Sequence, residues 1–170
     1  FDNLGDQGLG QLLDEQWKDA SQQFTKFIEN KYEDWLHSDD KPLLSPDIIS
    51  HHVKNKLENN EKVILIIMDC LRVDHLKALI PQLSQEFQIN MDYYVSILPT
   101  ATPYSRNAIF SGYFPIELQK EYSEIWDTMW KDEGSMNRYE DKFLRDHLDR
   151  LGLQSKSMQY HKVISYEEGN

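Results

Sequence analysis

The chain is poor in cysteine and in positive charge, and it holds no long apolar run. One cysteine, Cys70, in 170 residues excludes an internal disulfide and a thiolate zinc cage. Such usage suits a reducing compartment, so a cytoplasmic location is expected, with oxygen or imidazole as the only ligands open to a metal. Eighteen Lys and Arg against twenty-nine Asp and Glu leave a formal net charge of -11, which excludes a broad electrostatic grip on duplex DNA or an anionic membrane. The longest apolar run, Val63-Ile64-Leu65-Ile66-Ile67-Met68, is far too short to span a bilayer. No secretory signal is evident, and because the chain opens on Phe1 its natural start is expected elsewhere. Internal repeats, a Gly-rich phosphate loop, zinc-finger spacing and a Ser-His-Asp order are all missing.

What is present is a folding sequence, 39% hydrophobic and 12% aromatic. Over residues 12–36, Leu13, Trp17, Ala20, Phe24, Phe27, Ile28 and Trp35 recur at steps of three and four, which predicts a long amphipathic helix. Residues 37–42 break the pattern. Ser45-Pro46-Asp47 then offers an N-cap, a proline for the first turn and an acid beside it, predicting a second helix to about Asn59 with Ile49, Val53 and Leu57 buried. The pair is expected to form a helical hairpin or part of a three-helix bundle.

At Glu61 the texture changes. The β-branched run 62–68 reads as a strand buried on both faces of a parallel sheet and ending at Asp69. A helix over 73–83 and a strand over 93–98 complete a βαβ unit, so the expected fold class is α/β. A short helix after Thr102-Pro103 should stop at Gly112, another should cover 141–151, and 155–163 reads as a strand. The domain boundary is expected near Asn59-Asn60.

Ligands of open α/β sheets bind at the carboxyl ends of strands, where Asp69 stands. Its carboxylate suits a divalent cation, or it caps the turn that follows. Thr102 opens a predicted helix whose free N–H groups favour an anion, so its hydroxyl is either a metal-activated nucleophile for phosphorus or an N-cap. Arg106, one turn on, holds an anionic oxygen or pairs with a carboxylate. His51 and His52 point about 100° apart on a helix and are read as surface residues unable to share one metal. Asp74-His75 reads as a helix start, and His147 and His161 as structural. Trp126, Met129 and Trp130 read as a packing face rather than a docking surface.

Asp69-Cys70-Leu71-Arg72-Val73-Asp74-His75-Leu76, then Thr102-Pro103-Tyr104-Ser105-Arg106, then Phe110-Ser111-Gly112-Tyr113-Phe114-Pro115, resembles the alkaline phosphatase superfamily. Its sulfatases carry a similar acidic strand end, a Cys-x-Pro-Ser-Arg and a Thr-Gly ten residues on, and its nucleotide phosphodiesterases place a Thr as nucleophile at the distance that separates Thr102 from Gly112. More narrowly, 66–72 and 101–112 are similar to the PglZ domain of PorX-type response regulators, which act in type IX secretion and gliding in Bacteroidetes. The resemblance implies a helical linker or bundle over 1–60 and the first part of a PglZ domain over 61–170, within a longer protein of a two-component phosphorelay. It implies zinc-dependent hydrolysis of phosphodiesters, nucleotides or oligonucleotides, with two zinc ions in the complete domain. Asp69 and Thr102 would be metal ligands, Thr102 the catalytic nucleophile, and Arg106 and Asn107 would orient the substrate phosphate, with further ligands expected beyond Asn170. A sensor kinase, a secretion-motor protein or a sigma factor would be partners, and a homodimer is also expected. The alternative is a non-catalytic signalling module that binds zinc and dimerises to engage those partners.

Overall fold

The computed structural model describes residues 7–131, 136–154, 156–163 and 165. It divides into two compact units, 1–42 and 43–170.

The first unit is one helix, α1 (Gln7–His37). Its surface carries i,i+4 pairs, among them Gln23 Nε2 donating to Asp19 at 2.8 Å. The apolar residues of the predicted stripe are there, with Phe27 edge-on to Trp35 at 5.7 Å, but the face is not dry: Trp17, Phe24 and Phe27 are 74%, 61% and 47% exposed.

In the second unit a 3₁₀ turn (Ser45–Asp47) leads into α2 (Ile48–His52) and α3 (Lys54–Glu58). The predicted second helix is thus interrupted at Val53, and its Ile49 and Val53 are buried inside the second unit. Ser45 was the expected cap, but it is fully buried, and its Oγ accepts the Ile97 N–H at 3.1 Å. The capping falls to Asp47, whose Oδ2 takes the Leu44 N–H at 2.9 Å. Further on come α4 (Val73–Leu83), α5 (Thr102–Ser111), α6 (Pro115–Glu121), α7 (Ser123–Met129) and α8 (Glu140–Arg150).

The strands expected for an α/β fold do not form among the described residues. A parallel bridge joins Leu44 and Val95, with the Val95 N–H on the Leu43 carbonyl at 2.8 Å. Residues 63–68 have no ladder partner among the described residues and are not buried on both faces. Val63 and Ile67 lean on the core, whereas Ile64 and Ile66 are 86% and 74% exposed. A parallel strand needs a neighbour on each side and helices on both faces, and none of the described residues supplies them. Residue 155 lies outside the described residues, and 156–163 take no regular structure.

Three apolar clusters hold this unit. Ile49 and Val53 meet Leu148 and Leu153. Phe110, Leu118, Met129 and Phe143 form the second, with Trp126 and Trp130 against it, so these aromatics pack as expected. Leu44, Ile97 and Ala108 form the third. Helix α5 contributes to the second and third clusters, which fixes it as the central element.

Candidate functional site

Thr102 is the first residue of α5, following Ala101, so it is not the N-cap. Pro103 has no N–H, and the N–H groups of Tyr104 and Ser105 both reach the Ala101 carbonyl at 3.0 Å. The anion cradle expected at this helix start is therefore narrower than a bare first turn provides. Gly112 ends the helix in the left-handed region, with φ 66°, and its N–H closes on the Ala108 carbonyl at 2.9 Å. A Cβ at Gly112 would overlap the His147 ring, so this glycine is needed for close approach as well as for conformation. His147 is buried, with Nδ1 3.2 Å from the Phe110 carbonyl. Burial, and then the Arg150 charge, push its pKa down to about 4, against the hydrogen bond to Phe110.

Arg106 lies one turn beyond Thr102 and ties three segments together. Nη1 donates to Asp69 Oδ2 at 2.8 Å, and Nη2 donates to Glu140 Oε2 at 2.7 Å. Glu140 opens α8, is fully buried, and accepts the Tyr160 hydroxyl at 2.6 Å on the same oxygen. Burial opposes the Arg106 charge, but bonds and attraction from Asp69 and Glu140 outweigh it and raise its pKa. Burial, then Glu140, likewise hold the Tyr160 phenol well above its ordinary range. Of the two sequence readings for Arg106, the structure shows the carboxylate pair.

Asn107 is fully buried. Its Nδ2 donates to the carbonyls of Pro103 at 2.7 Å and Met136 at 2.9 Å, and Asn137 Nδ2 reaches its Oδ1 at 3.4 Å. Asn137 also lies 3.5 Å from the Thr102 carbonyl, so the amides brace the first turn of α5.

Asp69 and Arg106 are thus in direct contact, Thr102 lies one turn from Arg106, and Asn107 turns into the packing. Glu140 and Tyr160 escape sequence reasoning, because a Glu at a helix start looks like any first-turn acid. Only its pairing with Arg106, 34 positions away, reveals the burial.

Asp74 takes both a 3.0 Å and a 2.6 Å hydrogen bond from the Arg72 guanidinium, which keeps it a local helix-start acid. His161 is exposed. His51 and His52 lie at the surface as expected, but the expectation that they cannot face one metal needs correcting. Their exposed rings meet edge-to-face with centroids 4.6 Å apart, and with Asp92 they place one ligand atom each within 4.8 Å of the others. The 100° offset holds at the backbone, but rotation about the side-chain bonds brings the rings together.

Residues 48–170 match the BREX system PglZ alkaline phosphatase-like domain. The chain belongs to this PglZ family. Residues 1–36 match the PorX response regulator linker domain, which makes the chain a PorX-type PglZ protein, response-regulator-like in organisation. No curated protein matches it. The PglZ domain places it in the alkaline phosphatase-like superfamily, whose members are generally metal-dependent. Among the described residues no helix is long and apolar enough to cross a membrane.

Proposed function

We propose that the PglZ domain hydrolyses phosphodiesters, of nucleotides or oligonucleotides, with Thr102 as nucleophile and Asp69 as a zinc ligand, in a cytoplasmic phosphorelay protein serving type IX secretion. The observation that carries this reading is the Arg106 bridge, which ties Asp69 to the helix that Thr102 opens. An α/β sheet built on residues 63–68 belongs to the proposal, as do a 1–60 linker and a 61–170 PglZ segment.

Asp69 and Thr102 fit zinc in donor type, as carboxylate and hydroxyl oxygens, but they are only part of a tetrahedral shell. Among the described residues no further His, Cys, Asp or Glu joins Asp69 to make a group of three at ligand spacing. Zinc bound there would supply Lewis-acid stabilisation of charge on the phosphoryl oxygens. The chain's own part is to present Thr102 Oγ1 at the half-buried start of α5 for in-line attack on phosphorus. Arg106, engaged by two carboxylates, acts by holding Asp69 in place, and Asn107 acts by bracing the turn that carries Thr102.

Hydrolysis of a chromogenic phosphodiester by the intact protein, with zinc added or chelated, tests this. Thr102→Ala should lower turnover by about 10³-fold or more, the scale on which removing a nucleophile acts, without lowering the melting temperature. Unchanged turnover in that variant would refute the assignment.

The engagement of Arg106 also supports a second reading, since Asp69 and Glu140 already occupy the guanidinium that would hold an anion. In it the domain is a non-catalytic module that dimerises and meets a sensor kinase, a secretion-motor protein or a sigma factor. Zinc bound without turnover in the intact protein would favour it.

A further inference from the structure

We propose that His51, His52 and Asp92 form a second zinc site, separate from Asp69 and Thr102, that clamps α2 to the chain leading into α5. The three side chains are exposed, and each offers one ligand atom within 4.8 Å of the others. His52 Nε2 lies 3.9 Å from Asp92 Oδ2, which is too long for a hydrogen bond but close for an imidazole and a carboxylate that share a cation.

The backbone under the cluster is anchored on both sides. His51 and His52 end α2, between fully buried Ile49 and buried Val53. Asp92 stands just before Val95, which is bridged to Leu44 at the entry to the turn that begins α2. Both arms of the site therefore spring from one bridged point. Around zinc, tetrahedral ligands lie roughly 3.3 Å apart for bonds near 2.0 Å. Side chains this exposed can close the remaining gap, about 1.5 Å at most, by rotation without disturbing the core beneath.

The donor set narrows the choice of ion. Two imidazoles and a carboxylate, with a fourth position open to water, suit zinc, whereas magnesium and calcium require oxygen shells. A net charge of -11 favours cation capture in general. Occupancy would tie α2 to the segment that continues into Ile97 and then Thr102, so the clamp should act on stability rather than on chemistry.

The test is calorimetric titration of Zn²⁺ into the full chain carrying Asp69→Asn, which removes the carboxylate of the proposed hydrolytic site. One equivalent should bind and raise the melting temperature, and Mg²⁺ should do neither. His51→Ala, His52→Ala and Asp92→Ala, each added to that background and checked for unchanged circular dichroism, should each abolish the equivalent and the thermal shift. Binding and shift retained in either histidine variant would overturn the site, and full affinity in Asp92→Ala would overturn the three-ligand assignment. Comparing the Asp69→Asn chain with the parent reads the other site separately, so failure of one proposal is not mistaken for failure of the other.

Discussion

Glu140 and Asp69 share Arg106, and their burial separates their weights. The Glu140 carboxylate is wholly inside, facing a guanidinium with 18% of its side chain exposed, whereas the Asp69 side chain is 47% exposed. Removing one partner of a buried pair strands the other charge, so Glu140→Gln should cost about 3 kcal/mol in urea unfolding. Asp69→Asn breaks a bond that solvent screens, and it should cost about 1 kcal/mol or less. Costs in the reverse order would show that Arg106 is anchored at the Asp69 end. The ordering also makes Asp69→Asn a usable probe of metal chemistry, because loss of function there is not loss of fold. At this scale the sequence was half legible. Asp69, Thr102 and Arg106 stood out through their motif spacing, and Arg106 was recognised as open to a carboxylate partner. Which carboxylate could not be read, because Glu140 becomes special only through burial, and no local pattern encodes that.

Helices α5 and α8 meet where Gly112 leaves room for His147, and this contact makes their packing sensitive to acid. In the fold His147 has a pKa of about 4, against 6.5 for an ordinary histidine. The unfolded chain therefore binds a proton that the native one refuses. The contribution is complete above pH 6.5, is lost as pH falls from 6.5 towards 4, and levels off below that, for a total of roughly 3 kcal/mol. His147→Gln should flatten the pH dependence of denaturant midpoints across that window, and an unaltered slope would assign the acid sensitivity to other groups. Gly112→Ala, strained at positive φ and overlapping the ring, should cost about 2–4 kcal/mol by the same measurement. Elements of this kind were the most legible. The helix expected over Val73–Leu83 has the bounds observed, and Gly112 marked the end of α5. Ser45 misled because its Pro-Asp context signals a cap, while its hydroxyl serves the Ile97 N–H across the fold.

For the molecule as a whole, the departure from expectation lies in residues 63–68. Composition alone marked them as the middle of a sheet, and that reading assumes neighbours which a local pattern cannot supply. Here one side leans on the core through Val63 and Ile67, and the other presents Ile64 and Ile66 to solvent. A double substitution separates the two situations. If the run is open, as in this structure, Ile64→Thr with Ile66→Thr removes side chains that bury almost nothing, and stability should change by about 0.5 kcal/mol or less, with a fall in the binding of a hydrophobic dye. If the same run is paired in a sheet and covered on both faces, the two changes place hydroxyls in a core and should cost several kcal/mol. Val63→Thr and Ile67→Thr supply the internal control, since both side chains touch the core in either case. Measured in the 170-residue chain, a small cost for the outer pair beside a larger one for the inner pair would establish the open run. A large cost for both would mean that the run has found a strand partner, and the α/β sheet would then stand on energetics as well as on pattern.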